Sequence, residues 1–131
     1  MAELTFTLTP QTDPIAVAIL HVNGRLDSSS EAGLREKAAQ LHAEGARRLL
    51  LDLAGVDYIS SAGLRAIQLI YKQFTPVEEI KAWQPGGDVY KSPYFKLANA
   101  APQVYSVLNL AGFLHNISFF NNLPDALASF S

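Results

Sequence analysis

The sequence predicts an α/β domain: a mixed sheet in the order β-β-α-β-α-β-α-β-α, with helices packed mostly on one face. Three observations carry that prediction. The run Leu49 to Leu53, apolar except for Asp52 near its end, has the composition of a strand buried on both faces, as strands of a parallel sheet are. Two strand-like segments rich in Thr, Val and Ile precede the first helix with a turn between them, and read as an antiparallel hairpin. From there helical and strand-like periods alternate, and parallel neighbours joined through helices call for right-handed crossovers.

Each element follows from its residues. Leu4 to Leu8 alternates apolar residues with threonines, the period of a half-buried strand. Pro10 and Gln11-Thr12-Asp13-Pro14 end it in a turn. Ile15 to Val22 is the second strand, closed by Asn23-Gly24. Gly24-Arg25-Leu26-Asp27 leads into Ser28-Ser29-Ser30-Glu31, where Ser28 and Glu31 have capping-box spacing. Leu34, Ala38 and Leu41 then share one helical face, and Gly45 stands where that helix should stop. The central strand gives way to a short turn around Gly55. After Ser61 a second helix turns Leu64, Ile67, Ile70, Tyr71 and Phe74 inward and ends at Pro76. The segment Thr75 to Pro93 has no sustained period. It reads as an atypical long loop or insertion, with a helical turn or short strand near Val77 to Trp83. Trp83 and Tyr90 in it either cover the end of the core or face a partner. Tyr94 to Ala98 is the fourth strand. Pro102 suits the first turn of a third helix, with Val104, Val107, Leu108 and Ala111 inward and Gly112 after its end. Ile117 to Phe120 is the fifth strand, and Asn122, with Pro124 just behind it, opens a last helix to Phe130.

Composition narrows the function. A chain of 131 residues is one domain, 1–131, large enough to bury an ordinary core. A net charge of −2 supplies no basic surface for nucleic acid or an anionic membrane. The absence of cysteine excludes a disulfide scaffold, a thiolate metal site and a cysteine nucleophile, and fits a reducing compartment. Met1-Ala2-Glu3-Leu4 lacks the basic start of a signal peptide, and no apolar run reaches the roughly 20 residues of a membrane span. A cytoplasmic location is therefore expected. His21, His42 and His115 fall on a strand, a helix and a post-helix turn, with no acidic cluster at ligand spacing, so no metal site is expected. Ile59-Ser60-Ser61-Ala62-Gly63 lacks the first glycine of a nucleophile elbow, and Gly86-Gly87 is a turn rather than a phosphate loop. With no acid, base and nucleophile at sensible spacing, the chain is expected not to be an enzyme.

The stretch from Leu49 to Arg65 is where function is expected. It presents a strand, a turn, and two serines directly before a helix. A helix start offers unpaired N–H groups and the positive end of the macrodipole, which stabilise added negative charge and suit a phosphate. By position alone, Ser61 is a helix N-cap. Asp52 and Asp57 flank the turn and satisfy its amides.

Four blocks resemble the STAS domain of bacterial anti-sigma factor antagonists. They are Gly24-Arg25-Leu26-Asp27; Leu51-Asp52-Leu53 with Asp57 through Arg65; Leu108-Asn109-Leu110-Ala111-Gly112-Phe113; and Leu123-Pro124-Asp125-Ala126-Leu127. The central block is specific, and the other three are weak alone. The resemblance implies a STAS-type fold and a partner switch. The antagonist binds a serine kinase that also acts as an anti-sigma factor; phosphorylation of one serine releases it, and a PP2C-type phosphatase restores binding. The family's acceptor lies two residues before the signature glycine, which here is Ser61. Other members carry Asp before it and Ser or Thr after it, where this chain has Ser60 and Ala62, so Ser60 stands as the alternative acceptor.

The resemblance also implies a partner-binding surface of Asp27, Asp57, Tyr58, Ser60, Ala62, Gly63, Leu64 and Arg65. Asp27 is either a cap for the first helix or part of that surface. Arg65, one turn beyond Ser61, either pairs with the phosphate or is an ordinary exposed helix residue. ATP would belong to the kinase, and this chain needs no cofactor of its own. It would be a monomer or weak dimer. A non-phosphorylated STAS scaffold or small-ligand-binding module is the alternative function.

Overall fold

The computed structural model describes residues 4–11, 15–82 and 91–130. Its strands are β1 (Thr5–Gln11), β2 (Val17–Leu26), β3 (Leu49–Ile59), β4 (Phe95–Ala98) and β5 (Ser118–Phe120). The helices are α1 (Glu31–Ala43), α2 (Ser61–Phe74), α3 (Val77–Ala82), α4 (Pro102–Leu110) and α5 (Leu123–Ala128). One five-stranded sheet takes the order β1-β2-β3-β4-β5. β1 is antiparallel to β2 and every other pair is parallel. Because the strand order advances in one direction, right-handed crossovers carry the connecting helices to the same side. α1, α2 and α4 accordingly share one face, and α5 packs on the other.

The apolar run of β3 is explained by this layering. Leu49, Leu51 and Leu53 point into the larger core with Leu34, Ile67, Phe95 and Leu108, while Leu50 points into a smaller core with Val17, Ile19, Ala126 and Phe130. All four leucines are fully buried, and each contributes about 1.5–3 kcal/mol relative to an exposed position.

Three expected element ends are not ends. β1 runs through Pro10 to Gln11, since on an edge strand the missing N–H breaks no ladder bond. β2 does not close at Asn23-Gly24, and β3 does not turn at Gly55. Both continue as a paired arm to Leu26 and Ile59, with register irregularities at His21/Asn23 and Gly24/Arg25. Gly24 takes φ +118, and a Cβ on Gly55 would lie 1.7 Å from Asn23 Oδ1. These glycines mark a bulged, crowded strand pair, which leaves the same sequence signal as a turn. Ala111 is exposed rather than inward: it caps α4 beyond the last helical residue, ahead of Gly112 at φ +81.

The segment Thr75 to Pro93 contains the short helix α3. Its remainder, with Trp83 and Tyr90, lies outside the described residues. The chain leaves at Thr75 and returns at Ser92, whose hydroxyls meet at 2.8 Å in a buried contact. Ser92 Oγ also accepts the N–H groups of Tyr94 and Phe95, tying the return to the start of β4. No described helix is long and apolar enough to cross a membrane.

Candidate functional site

The β2–β3 arm ends where two helices begin. Leu26 pairs with Ile59, and the next residue of β3's chain, Ser60, donates its N–H to Leu26 O at 2.9 Å. Asp27 and the α2 start are thereby brought to the same end of the sheet. Close approach there depends on Gly63. A Cβ at that position would stand 2.6 Å from Leu26 O and 2.8 Å from Leu26 Cγ.

The two serines divide the work differently from the expectation. The N-cap of α2 is Ser60, not Ser61. Its backbone is extended, and its Oγ accepts the Gly63 N–H at 3.3 Å. Ser61 is the first helical residue and is exposed, with no side-chain hydrogen bond among the described residues. Ala62 and Leu64 are half-buried beneath it, and Arg65 is exposed one turn further on. Arg65 also lies close enough to α1 for its charge to help hold the Glu31 carboxyl low, behind the larger effect of Arg35.

The start of α1 departs from the expected capping box. Ser28 does not pair with Glu31; the N-cap is Ser30, without a side-chain cap bond. Ser30 Oγ donates to Arg25 O at 2.6 Å and accepts the Asp27 N–H, while Glu31 engages Arg35 at 2.6 Å. The Asp27 side chain does not cap α1, although the residue's backbone carbonyl accepts the Glu31 N–H at 2.9 Å. Its Oδ1 accepts the Ser29 hydroxyl at 2.7 Å and the Ser29 N–H at 3.0 Å, ordering the turn ahead of the helix. The Ser29 hydroxyl and N–H hold the Asp27 carboxyl below its ordinary value, opposed by a small desolvation effect.

Asp57 and Tyr58 lie on the arm itself, both exposed. Arg25, which the sequence reading did not single out, joins the cluster. Its guanidinium sits 4.2 Å from the centre of the Tyr58 ring, and its Nε is 3.7 Å from Asp27 Oδ2. The only signal for it was the register: Arg25 faces Tyr58 once the arm is known to be paired. Asp52 belongs elsewhere. It accepts the Ala54 N–H, as a turn carboxylate would, but is a buried strand residue whose Oδ2 meets His21 Nδ1 at 2.6 Å. Nothing in the sequence signalled this cross-strand pairing of His21 with a single carboxylate. Among the described residues no group of three or more His, Asp or Glu is placed to hold a metal.

Comparison with known proteins follows the same outline. Residues 8–78 match the family model of the STAS domain. A Bordetella bronchiseptica protein, BtrV, named as an anti-sigma factor antagonist, is 32% identical over 118 residues, covering 90% of this chain and 88% of its own. The crystal structure of an anti-sigma factor antagonist from Mycobacterium paratuberculosis superimposes with a TM-score of 0.74 at 18% identity, over 98% of this chain and 94% of that one. The phosphorylated form of the Bacillus cell fate determinant SpoIIAA superimposes with a TM-score of 0.62 at 16% identity, over 97% of this chain and 100% of that one. At such identities the two solved structures establish likeness of fold.

Proposed function

This chain belongs to the STAS domain family of anti-sigma factor antagonists, and from that premise we propose that it is a partner switch gated at Ser61. In its unmodified form it docks a serine kinase that doubles as an anti-sigma factor. The docking surface is the α2 start with Asp27, Asp57, Tyr58, Ser60, Ala62, Gly63, Leu64 and Arg65. Phosphorylation of Ser61 with the kinase's ATP separates the pair, and a PP2C-type phosphatase resets it.

The observation that supports this most is the exposure of Ser61 on the first turn of α2 while Ser60 does the capping. A hydroxyl that the fold does not use can be modified without undoing the helix. Phosphate adds about −1.5 to −2 charges and three acceptor oxygens. The helix N-terminus favours that charge, and Arg65 lies one turn away to pair with it. The fold need not change. A partner's contact surface, by contrast, must then bury an unpaired dianion. A solved relative of the same fold in a phosphorylated form agrees with a fold that tolerates the group.

The test is phosphate incorporation by the cognate kinase followed by peptide mapping, with calorimetry on variants. Label is expected on Ser61, and Ser61→Asp is expected to weaken kinase binding by at least about 100-fold with an unchanged circular dichroism spectrum. Label on Ser60 would move the acceptor by one residue. No label on any serine, with Ser61→Asp binding normally, would overturn the switch and favour a scaffold or ligand-binding module.

A further inference from the structure

The sheet face away from α2 carries a second cluster of reactive groups, which the switch does not use. Thr9 on β1, His21 on β2, Asp52 on β3 and Asn99 just after β4 run across the sheet in one hydrogen-bonded row. We propose that Thr9, His21 and Asp52 form a nucleophilic site at which the Thr9 hydroxyl accepts an acyl group from an activated acyl donor, such as an aryl ester.

The order of the hydrogen bonds carries the proposal. Asp52 is 8% exposed, and its Oδ1 accepts the Ala54 N–H at 3.0 Å and Asn99 Nδ2 at 3.2 Å. Its Oδ2 is directed at His21 Nδ1, 2.6 Å away. An ionised carboxylate only accepts, so Nδ1 must carry the proton and neutral His21 keeps its lone pair on Nε2. Thr9 Oγ1 lies 3.0 Å from that Nε2, and donates to it when the imidazole is neutral. Hydroxyl, imidazole and oriented carboxylate then stand in the sequence that activates a nucleophile.

Two further features go beyond a cross-strand ladder. Thr9 is exposed, so water alone would satisfy its hydroxyl and no buried group needs the bond. Asn99 adopts φ +65, an uncommon conformation for a non-glycine residue, while its side chain braces the carboxylate. In the step itself, the bond from Thr9 Oγ1 to the acyl carbon forms as Nε2 takes the hydroxyl proton. The bond from the acyl carbon to the leaving oxygen breaks, and the proton passes to that oxygen. The products are O-acyl-Thr9 and the free alcohol or phenol.

Incubating the full chain with p-nitrophenyl acetate, followed by intact-mass measurement and peptide mapping, tests this. One acetyl group is expected on Thr9, retained in Thr9→Ser and absent in Thr9→Val. His21→Gln is expected to slow acetylation of Thr9 by on the order of 100-fold. Asp52 acts as a positioning residue, so Asp52→Asn should slow the reaction and also shift the His21 tautomer seen by nitrogen NMR. Acetyl groups on lysines with none on Thr9, or a Thr9 rate unmoved by His21→Gln in folded protein, would overturn the assignment. The site lies on the opposite sheet face from Ser61, so either result leaves the switch to its own test.

Discussion

The two helices that leave the β2–β3 arm both begin in serines, yet they treat those serines oppositely. At α1, the hydroxyls of Ser29 and Ser30 are engaged by Asp27 and by Arg25 O. At α2, Ser60 alone performs the cap and Ser61 is left facing solvent. A serine at a helix start is therefore not in itself a modification site. What matters is whether the local fold already holds its hydroxyl. Among the described residues Ser28, ahead of α1, and Ser61 both face solvent without a side-chain hydrogen bond. Only Ser61 stands on a helical turn, where the N-terminal N–H groups favour added negative charge.

The glycines of the two helices sharpen the contrast most. Gly63 of α2 faces backbone and side-chain atoms at 2.6 and 2.8 Å, whereas Gly33 of α1 has nothing within 4 Å of its missing Cβ. Gly63→Ala is expected to lower stability by about 1–3 kcal/mol, because Leu26 O is backbone and cannot yield. Urea denaturation would measure it, and a neutral result would show that α2 is free to shift on the sheet. Next in size are the serines. Ser60→Ala should cost about 1 kcal/mol through loss of the cap, while Ser61→Ala should stay within about 0.5 kcal/mol of wild type. Equal costs would mean that Ser61 carries structural weight, and the distinction between the two helix starts would fall.

A smaller effect has the opposite sign. Gly33→Ala should stabilise the protein by at most about 0.5–1 kcal/mol, the cost of an exposed glycine in a helix interior relative to alanine, since Gly33 sits in the first turn of α1. The smallest concerns acid. The folded pKa of Asp27 is depressed, so its contribution is present above the unfolded carboxylate value of about 3.9 and is lost as pH falls through the lower folded value. In an NMR titration Asp27 should therefore have a midpoint below that of an unperturbed aspartate. Ser29→Ala should raise that midpoint, and an unmoved one would mean that Ser29 does not order the turn.

Local patterns announced most of the elements. The alternation of Leu4 to Leu8, the helical spacing of Leu34, Ala38 and Leu41, and the Asn122 cap, which accepts the Asp125 N–H at 2.8 Å, were each readable from a few neighbouring residues. The strand errors share a cause. Asn23-Gly24 and Gly55 looked like turns because glycine marks a turn and a bulge alike, and only the partner strand shows which is present. The Ser28–Glu31 capping box failed because α1 is capped two residues later, at Ser30, and Arg35 engages the Glu31 carboxylate.

The amino-acid sequence by itself determined the order of elements, the face each buries, and the helix start at which a hydroxyl could meet a phosphate. Those properties depend on period and on groups a few residues apart, so they are written locally. Tertiary structure decided which serine caps α2, that Arg25 stacks on Tyr58, and that His21 meets Asp52 across strands 31 residues apart. The last two rest on strand register, which is set by how whole faces pack against the core and cannot be summed from neighbours along the chain.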